Sequence, residues 1–244
     1  NTKSYKSILK EKELDELISD LNEKSIIAVD TETSSLNPQE ADLIGISISY
    51  SADNSFYIPV GHKDTKCLKK TLVLKKLKTI LEDASIKKVG QNMKYDFIVF
   101  QNHGIELNAI EDTMLLSYTL DAGNNRHNMD TLSEIHLAHK TISYKDLVGT
   151  GKKQLNFSDI DIKSATEYAA EDADVTLRLY NILSERVSDE KLDKIYEVFE
   201  KPMIKILSKL ETNGIKVDDS YLKILSGKFK ERLIKIEKDI YKIS

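Results

Sequence analysis

The run Ser25-Ile-Ile-Ala-Val-Asp30 constrains this chain more than any other stretch. An almost wholly apolar run this short, with no polar alternation, reads as a central strand buried on both faces. Such a strand needs a helical layer on each side, so the rest of the chain must supply one. The run continues as Val29-Asp30-Thr31-Glu32. Residues two apart in a strand project from the same face, so Asp30 and Glu32 point together at its end. Two solvated acids at a strand terminus would look the same, and an Asp-x-Glu alone is too common to interpret.

The remaining elements fit that frame. Residues 11–21 read as a helix, with Leu14, Leu17, Ile18 and Leu21 at helical spacing. Residues 43–49 are β-branched and alternate, giving a second strand, and residues 56–60 a third, paired with it in antiparallel fashion. The spacing predicts an amphipathic helix over 71–81, a short strand over 86–89 and a helix from about 93 to 102. A brief strand near 106–110 follows, then helices over about 112–120 and 130–138, and nearly continuous helix from 162 onward. The whole reads as an α/β domain with a mixed sheet and a helical tail. A boundary near Ser188 separates residues 1–188 from a helical segment, 189–244. In that segment Leu222, Leu225, Phe229, Leu233, Ile236 and Ile240 form a stripe on a helix running to the last residue without a cap, an apolar face that needs a partner. The chain opens at Asn1 without a methionine, as expected of a fragment of a longer protein.

Two further segments carry acids at telling spacings. In Val89-Gly-Gln-Asn92-Met-Lys-Tyr-Asp96, Asn92 is placed to cap the helix, with Asp96 one turn in on the same side. A cap and an acid complementing the helix dipole would suffice to explain the pair. In Glu167-Tyr168-Ala-Ala-Glu-Asp172-Ala-Asp174, Tyr168 and Asp172 share one helix face. Asp174 turns ~200° away from Asp172, so it and Glu171 read as solvated surface acids. The alanines at 169, 170 and 173 would let this helix lie close to the sheet.

If Asp30, Glu32, Asp96 and Asp172 converge, each like-charged pair at ~4 Å repels by roughly 4 kcal/mol at an effective dielectric near 20. Divalent cations remove that penalty, and hard oxygen ligands favour Mg²⁺ or Mn²⁺ over zinc. Two such ions held by carboxylates form the arrangement that cleaves phosphodiesters by in-line attack of water. The lone Cys67 excludes an internal disulfide and a cysteine zinc cluster and fits a reducing compartment. His136 and His139 lack a third ligand at motif spacing. Gly149-Thr-Gly151-Lys-Lys lacks the strand and spacing of a phosphate loop and reads as a basic loop near the substrate. Lys63, Lys66, Lys69 and Lys70 suit phosphates or plain solvation. Net charge, −4, is silent on a partner gripped only at one strand end. No apolar run approaches a membrane span, and no signal-peptide pattern opens the chain.

Taken together, VDTET (29–33), GQNMKYD (90–96) and YAAEDADVT (168–176) resemble the three exonuclease motifs of the proofreading domain of family A polymerases, the bacterial DNA polymerase I type. Arg126-His-Asn-Met-Asp-Thr-Leu is similar to that family's stretch between the second and third motifs, and residues 199–218 to the start of its polymerase domain. The resemblance implies a ribonuclease-H-like exonuclease fold with a five-stranded mixed sheet flanked by helices. It implies two divalent cations, Mg²⁺ or Mn²⁺: Asp30, Glu32 and Asp172 on one, Asp30 on the second with Asp96 acting largely through water. Tyr168 and Glu32 would orient the attacking water. Thr33, Leu36, Gln91, Asn92, Arg126 and Tyr144 match positions that hold the last nucleotides, Leu36 as a wedge between bases and Tyr144 as a stacking platform.

The expected activity is therefore stepwise 3′→5′ removal of nucleoside monophosphates from single-stranded or frayed DNA ends. The expected partners are that DNA end and a polymerase domain of the same chain, in a monomer. The expected setting is a bacterial cytoplasm beside the nucleoid, or an organelle. An RNA-trimming exonuclease of the same superfamily and a DNA-binding scaffold without catalysis are the competing readings. The polymerase-like tail argues against the first, the intact carboxylates against the second.

Overall fold

A computed structural model describes residues 4–151 and 154–243. They form two compact units, Asn1–Thr212 and Asn213–Ser244. The strands of the first unit are β1 (Ser4–Ser7), β2 (Ile26–Thr33), β3 (Leu43–Ser51), β4 (Asn54–Pro59), β5 (Lys87–Gly90) and β6 (Ile110–Asp112). They pair in the order β1-β4-β3-β2-β5-β6. β2 runs antiparallel to β3 and parallel to β5, β3 and β4 are antiparallel, and β1 and β6 close the two edges in parallel pairings. The mixed ribonuclease-H-like sheet expected from the resemblance is present, with six strands rather than five. The addition is β1, whose Ser-Tyr-Lys-Ser has no apolar alternation and is held by backbone pairing to β4. β6 also lies later than the 106–110 read from sequence.

β2 places the site. Ile27 and Val29 pack on one face of the sheet with Leu14, Leu77 and Phe100 from helices α1 (Glu11–Asn22), α2 (Lys70–Leu81) and α3 (Met93–Asn102). Ala28 faces the other way, into the cluster built by α4 (Thr113–Asp121), α5 (Met129–Leu137) and α7 (Ile162–Asp189). A short helix, α6 (Tyr144–Val148), precedes α7. By the two-residue period, Asp30 and Glu32 share the Ala28 face, towards α7, while Thr31 turns towards α3.

α7 carries Ala165, Ala169, Ala170 and Ala173 wholly buried, and the facing side of β3 carries Gly45, Ser47 and Ser49. Small residues on both surfaces let helix and sheet approach closely, as the alanines suggested. The helix starts with the Asp161 carboxylate accepting from the Ser164 amide, 3.0 Å. After α8 (Asp193–Ile195), the chain makes a π-helical turn, Tyr196–Glu200, and enters α9 (Lys201–Asn213). By packing the first unit continues through Thr212, past the boundary near Ser188 read from sequence. The second unit holds α10 (Asp219–Tyr241), whose first turn is capped by Asp218 accepting from the Tyr221 amide. Leu222, Phe229, Leu233, Ile236 and Ile240 are exposed along it.

Candidate metal centre and active site

One carboxylate oxygen from each of Asp30, Glu32 and Asp172 lies within 4.8 Å of the others. β2 supplies the first two from one face, and α7 crosses that face to supply the third. Like charges at this separation repel by roughly 3–4 kcal/mol per pair at an effective dielectric near 20. Burial adds to the cost: Glu32 and Asp172 are buried, whereas Asp30 keeps partial contact with solvent. Burial pushes the Asp30 carboxyl up to about 7, opposed by a hydrogen bond from the Thr31 backbone. Burial first, then the neighbouring carboxylates, drives Glu32 and Asp172 well above the usual carboxylate range. Glu32 Oε1 is buried without a hydrogen-bond donor. An all-oxygen donor set with an orphaned buried oxygen fits a hard divalent cation.

Asp96 does not join that triad directly. It comes from α3 on the opposite face, where its Oδ1 accepts from the Thr31 amide at 3.0 Å and from the Thr31 hydroxyl. Its carboxyl is raised by burial and then by the charge of Asp30. It therefore shares the electrostatic field of the cluster while being tethered separately.

The Tyr168 hydroxyl lies beside Asp172, one helical turn on. Burial and the surrounding carboxylates push this phenol far up, so it remains a protonated donor. Its ring contacts Tyr144 at 5.9 Å and Phe157 at 6.0 Å, and Tyr144 is half-exposed beside it. Leu36 is 97 % exposed. Arg126 is also exposed. The Thr33 hydroxyl is engaged with Tyr95 and the Ser35 carbonyl. The Gln91 amide donates to His127 O at 2.7 Å and accepts from the Thr113 hydroxyl.

Three sequence readings need correction. Glu171 and Asp174 are buried, not solvated. Glu171 accepts from the Ile142 amide at 2.6 Å and pairs with His139 at 3.0 Å. Asp174 accepts from the Tyr5 hydroxyl, 3.0 Å, and the Asp53 amide, 2.8 Å, with Arg178 at 3.7 Å. Both faces of α7 are covered, so an acid turned away from the site meets protein rather than water. Asn92 does not cap α3 with its side chain; its backbone is left-handed, φ 60°, and the Asp112 carboxylate takes the cap. Lys63 pairs with Asp159, and Lys152 and Lys153 of the basic loop lie outside the described residues.

The residues missed by sequence reasoning are Thr31, Tyr95 and Asp112. Thr31 and Tyr95 sit inside the quoted motifs, but their partners are set by the fold. Asp112 had a local signal, an acid before a helix start, with nothing to show its reach to a second helix.

Comparison with known proteins settles the kinship. Residues 5–188 match the family model described as 3′-5′ exonuclease, from the family A DNA polymerases. The chain belongs to that exonuclease family. The chain is 41% identical over 249 residues to "DNA polymerase I" of Rhizobium leguminosarum, covering 93% of this chain and 24% of the relative. It is 38% identical over 239 residues to "DNA polymerase I" of Borreliella burgdorferi, covering 98% and 26%. It thus spans about a quarter of these curated relatives. Among solved structures, the Pol1 polymerase of M. smegmatis in complex with primer-template and dNTP shares the fold at a TM-score of 0.74 and 19% identity, over 94% of this chain and 36% of that one. Brucella melitensis NrnC with bound Mg²⁺ does so at 0.65 and 22%, over 90% and 98%. As a member of the family, the chain is a 3′–5′ exonuclease domain, and the cluster of Asp30, Glu32 and Asp172 fits the divalent metal that the family uses.

Proposed function

We propose that this exonuclease domain removes nucleoside monophosphates one at a time from single-stranded or frayed DNA 3′ ends, using two Mg²⁺ or Mn²⁺ ions, as the proofreading module of a longer polymerase. The observation that carries the reading is the convergence of carboxylate oxygens from Asp30, Glu32 and Asp172, together with a Glu32 Oε1 that is buried and has no hydrogen-bond donor. Those three would hold one ion, and Asp30 with the separately tethered Asp96 the other. Bound divalent cations supply activation of the attacking water and neutralisation of phosphate charge.

The protein's own side chains do the rest. Tyr168 keeps its proton, so its hydroxyl would donate that one proton to an attacking water or to Asp172 beside it. Glu32 offers its free oxygen as acceptor for the same water. Tyr144 presents a half-exposed ring for a terminal base, Leu36 an exposed wedge, and Asn92 and Arg126 exposed polar groups for phosphate and sugar. Thr33 and Gln91, whose side chains are engaged within the protein, would shape the binding surface around them. Contacts of this kind read no sequence. Discrimination then comes from fraying, since a paired end surrenders stacking of about 1.4 kcal/mol per step before it can enter. The relatives named DNA polymerase I support placement in such a polymerase, whose further region would cover the exposed stripe on α10. A bacterial cytoplasm is the setting that goes with that reading.

A 5′-labelled single-stranded DNA and its RNA counterpart, with Mg²⁺, Mn²⁺ or EDTA, test this. The expected result is a ladder of DNA shortened from the 3′ end, absent in EDTA, with Tyr168→Phe retaining partial activity. Intact DNA in both metals would refute the enzyme, and preferential trimming of the RNA would favour the RNA-processing reading.

A further inference from the structure

Helix α3 begins without the help of the residue placed to cap it. Asn92 sits in the left-handed region, φ 60° and ψ 47°, a conformation asparagine tolerates better than most residues. Its amide nonetheless has a partner. The Asp112 carboxylate, at the end of β6, accepts from Asn92 N at 3.1 Å and Met93 N at 2.9 Å. The same carboxylate caps α4 by accepting from Met114 N at 2.9 Å. One buried acid thus closes two helix N-termini, where unpaired amides and the helix dipoles favour negative charge. Thr113 adds a second tie, donating to Gly90 O at 3.1 Å and to Gln91 Oε1. Gln91 in turn holds the His127 carbonyl beside Arg126. With its capping duty taken over, the Asn92 side chain is left exposed.

We infer that Asp112 is a positioning residue that sets the turn 90–92 for binding the DNA end, and acts on substrate affinity rather than on the chemical step. This rests on the proposed DNA-exonuclease reading. The separation of affinity from chemistry follows from the tethers: Asp96, on the same helix, is fixed independently by two hydrogen bonds from Thr31. Loosening Asp112 frees the turn while the carboxylates stay in place. Loss of a contact made equally in ground and transition states raises KM and leaves kcat unchanged.

The test compares the wild-type chain with Asp112→Ser, which can cap α4 but is too short to bridge to α3, and with Asp112→Asn, of the same shape but with one acceptor face turned into a donor. Binding of a 5′-fluorescein-labelled oligothymidylate is measured by fluorescence anisotropy in Ca²⁺, and KM and kcat in Mg²⁺. Both variants should weaken binding and raise KM about tenfold, equivalent to about 1.4 kcal/mol, with kcat nearly constant. The effect should shrink when Asn92→Gly is already present, because both act through one turn. If both Asp112 variants misfold, Thr113→Val, which cuts the neighbouring tie alone, should show the same rise. Unchanged binding, or a fall in kcat at constant KM, overturns the inference. A wild type that binds DNA without cutting it overturns the exonuclease reading alone, and the anisotropy still decides the role of Asp112. A wild type that does not bind DNA overturns both.

Discussion

Asp30 shows how the site sets function against stability. Its carboxyl is raised to about 7 by burial, with Glu32, Asp96 and Asp172 raised in the same direction. Between about pH 4, where an unfolded aspartate ionises, and pH 7, the folded protein retains a proton that the unfolded chain releases. The stability associated with the protonated site is therefore complete below pH 4 and is lost as pH rises through 7. In EDTA, thermal melting should occur at lower temperature at pH 8 than at pH 5, and Mg²⁺ at pH 8 should reverse the drop. Asp30→Asn should melt higher than wild type in EDTA at pH 8, by roughly 2–4 °C for each kcal/mol of repulsion relieved, while losing exonuclease activity. A lower melting temperature for Asp30→Asn under those conditions would mean that the carboxylate is satisfied without a cation.

At the scale of elements, the α7-facing side of β3 is lined by small residues, and at Gly45 the room is taken by the Tyr57 ring of β4. A Cβ there would lie 2.1 Å from the Tyr57 hydroxyl, which bonds His62 Nε2 at 2.8 Å within the buried cluster under α7. Gly45→Ala should destabilise by about 1–3 kcal/mol, as overpacking of cores does, measured by urea unfolding; an unchanged midpoint would show that Tyr57 can move freely. Much at this scale was readable in advance. The β2 run, the helix over 93–102 and the shared face of Tyr168 and Asp172 follow from local periodicity, so sequence sufficed for them. Glu171 and Asp174 were misjudged because helix periodicity tells which residues lie apart, not whether the far side is covered by β1 and by the segment at His139 and Ile142. The cap on α3 was misassigned for a related reason, since a local asparagine is visible in sequence and a carboxylate twenty residues on is not.

At the scale of the molecule, the match to the exonuclease family ends at residue 188, while the packed unit continues to Thr212. Tyr196 and Ile204 are buried in its cores; the Tyr196 hydroxyl donates to Glu111 at 2.9 Å and accepts from the Asp112 amide at 3.0 Å, and Lys201 pairs with Glu111 at 2.8 Å. A chain ending at 188 would strip partners from a buried glutamate, an error that costs several kcal/mol. It should melt well below a chain ending at 212, which should match the full 244 residues; equal melting of the two truncated chains would make 188 the true boundary. To this scale also belongs the proposal that the three converging carboxylates hold a divalent cation. Its most direct test is titration of Mn²⁺ followed by electron paramagnetic resonance, in which free Mn²⁺ gives the signal and bound Mn²⁺ does not. The wild type should deplete the free signal and Asp172→Asn should leave most of it, whereas a wild type that leaves Mn²⁺ free, or a variant that binds it equally, would show that these carboxylates do not hold the cation.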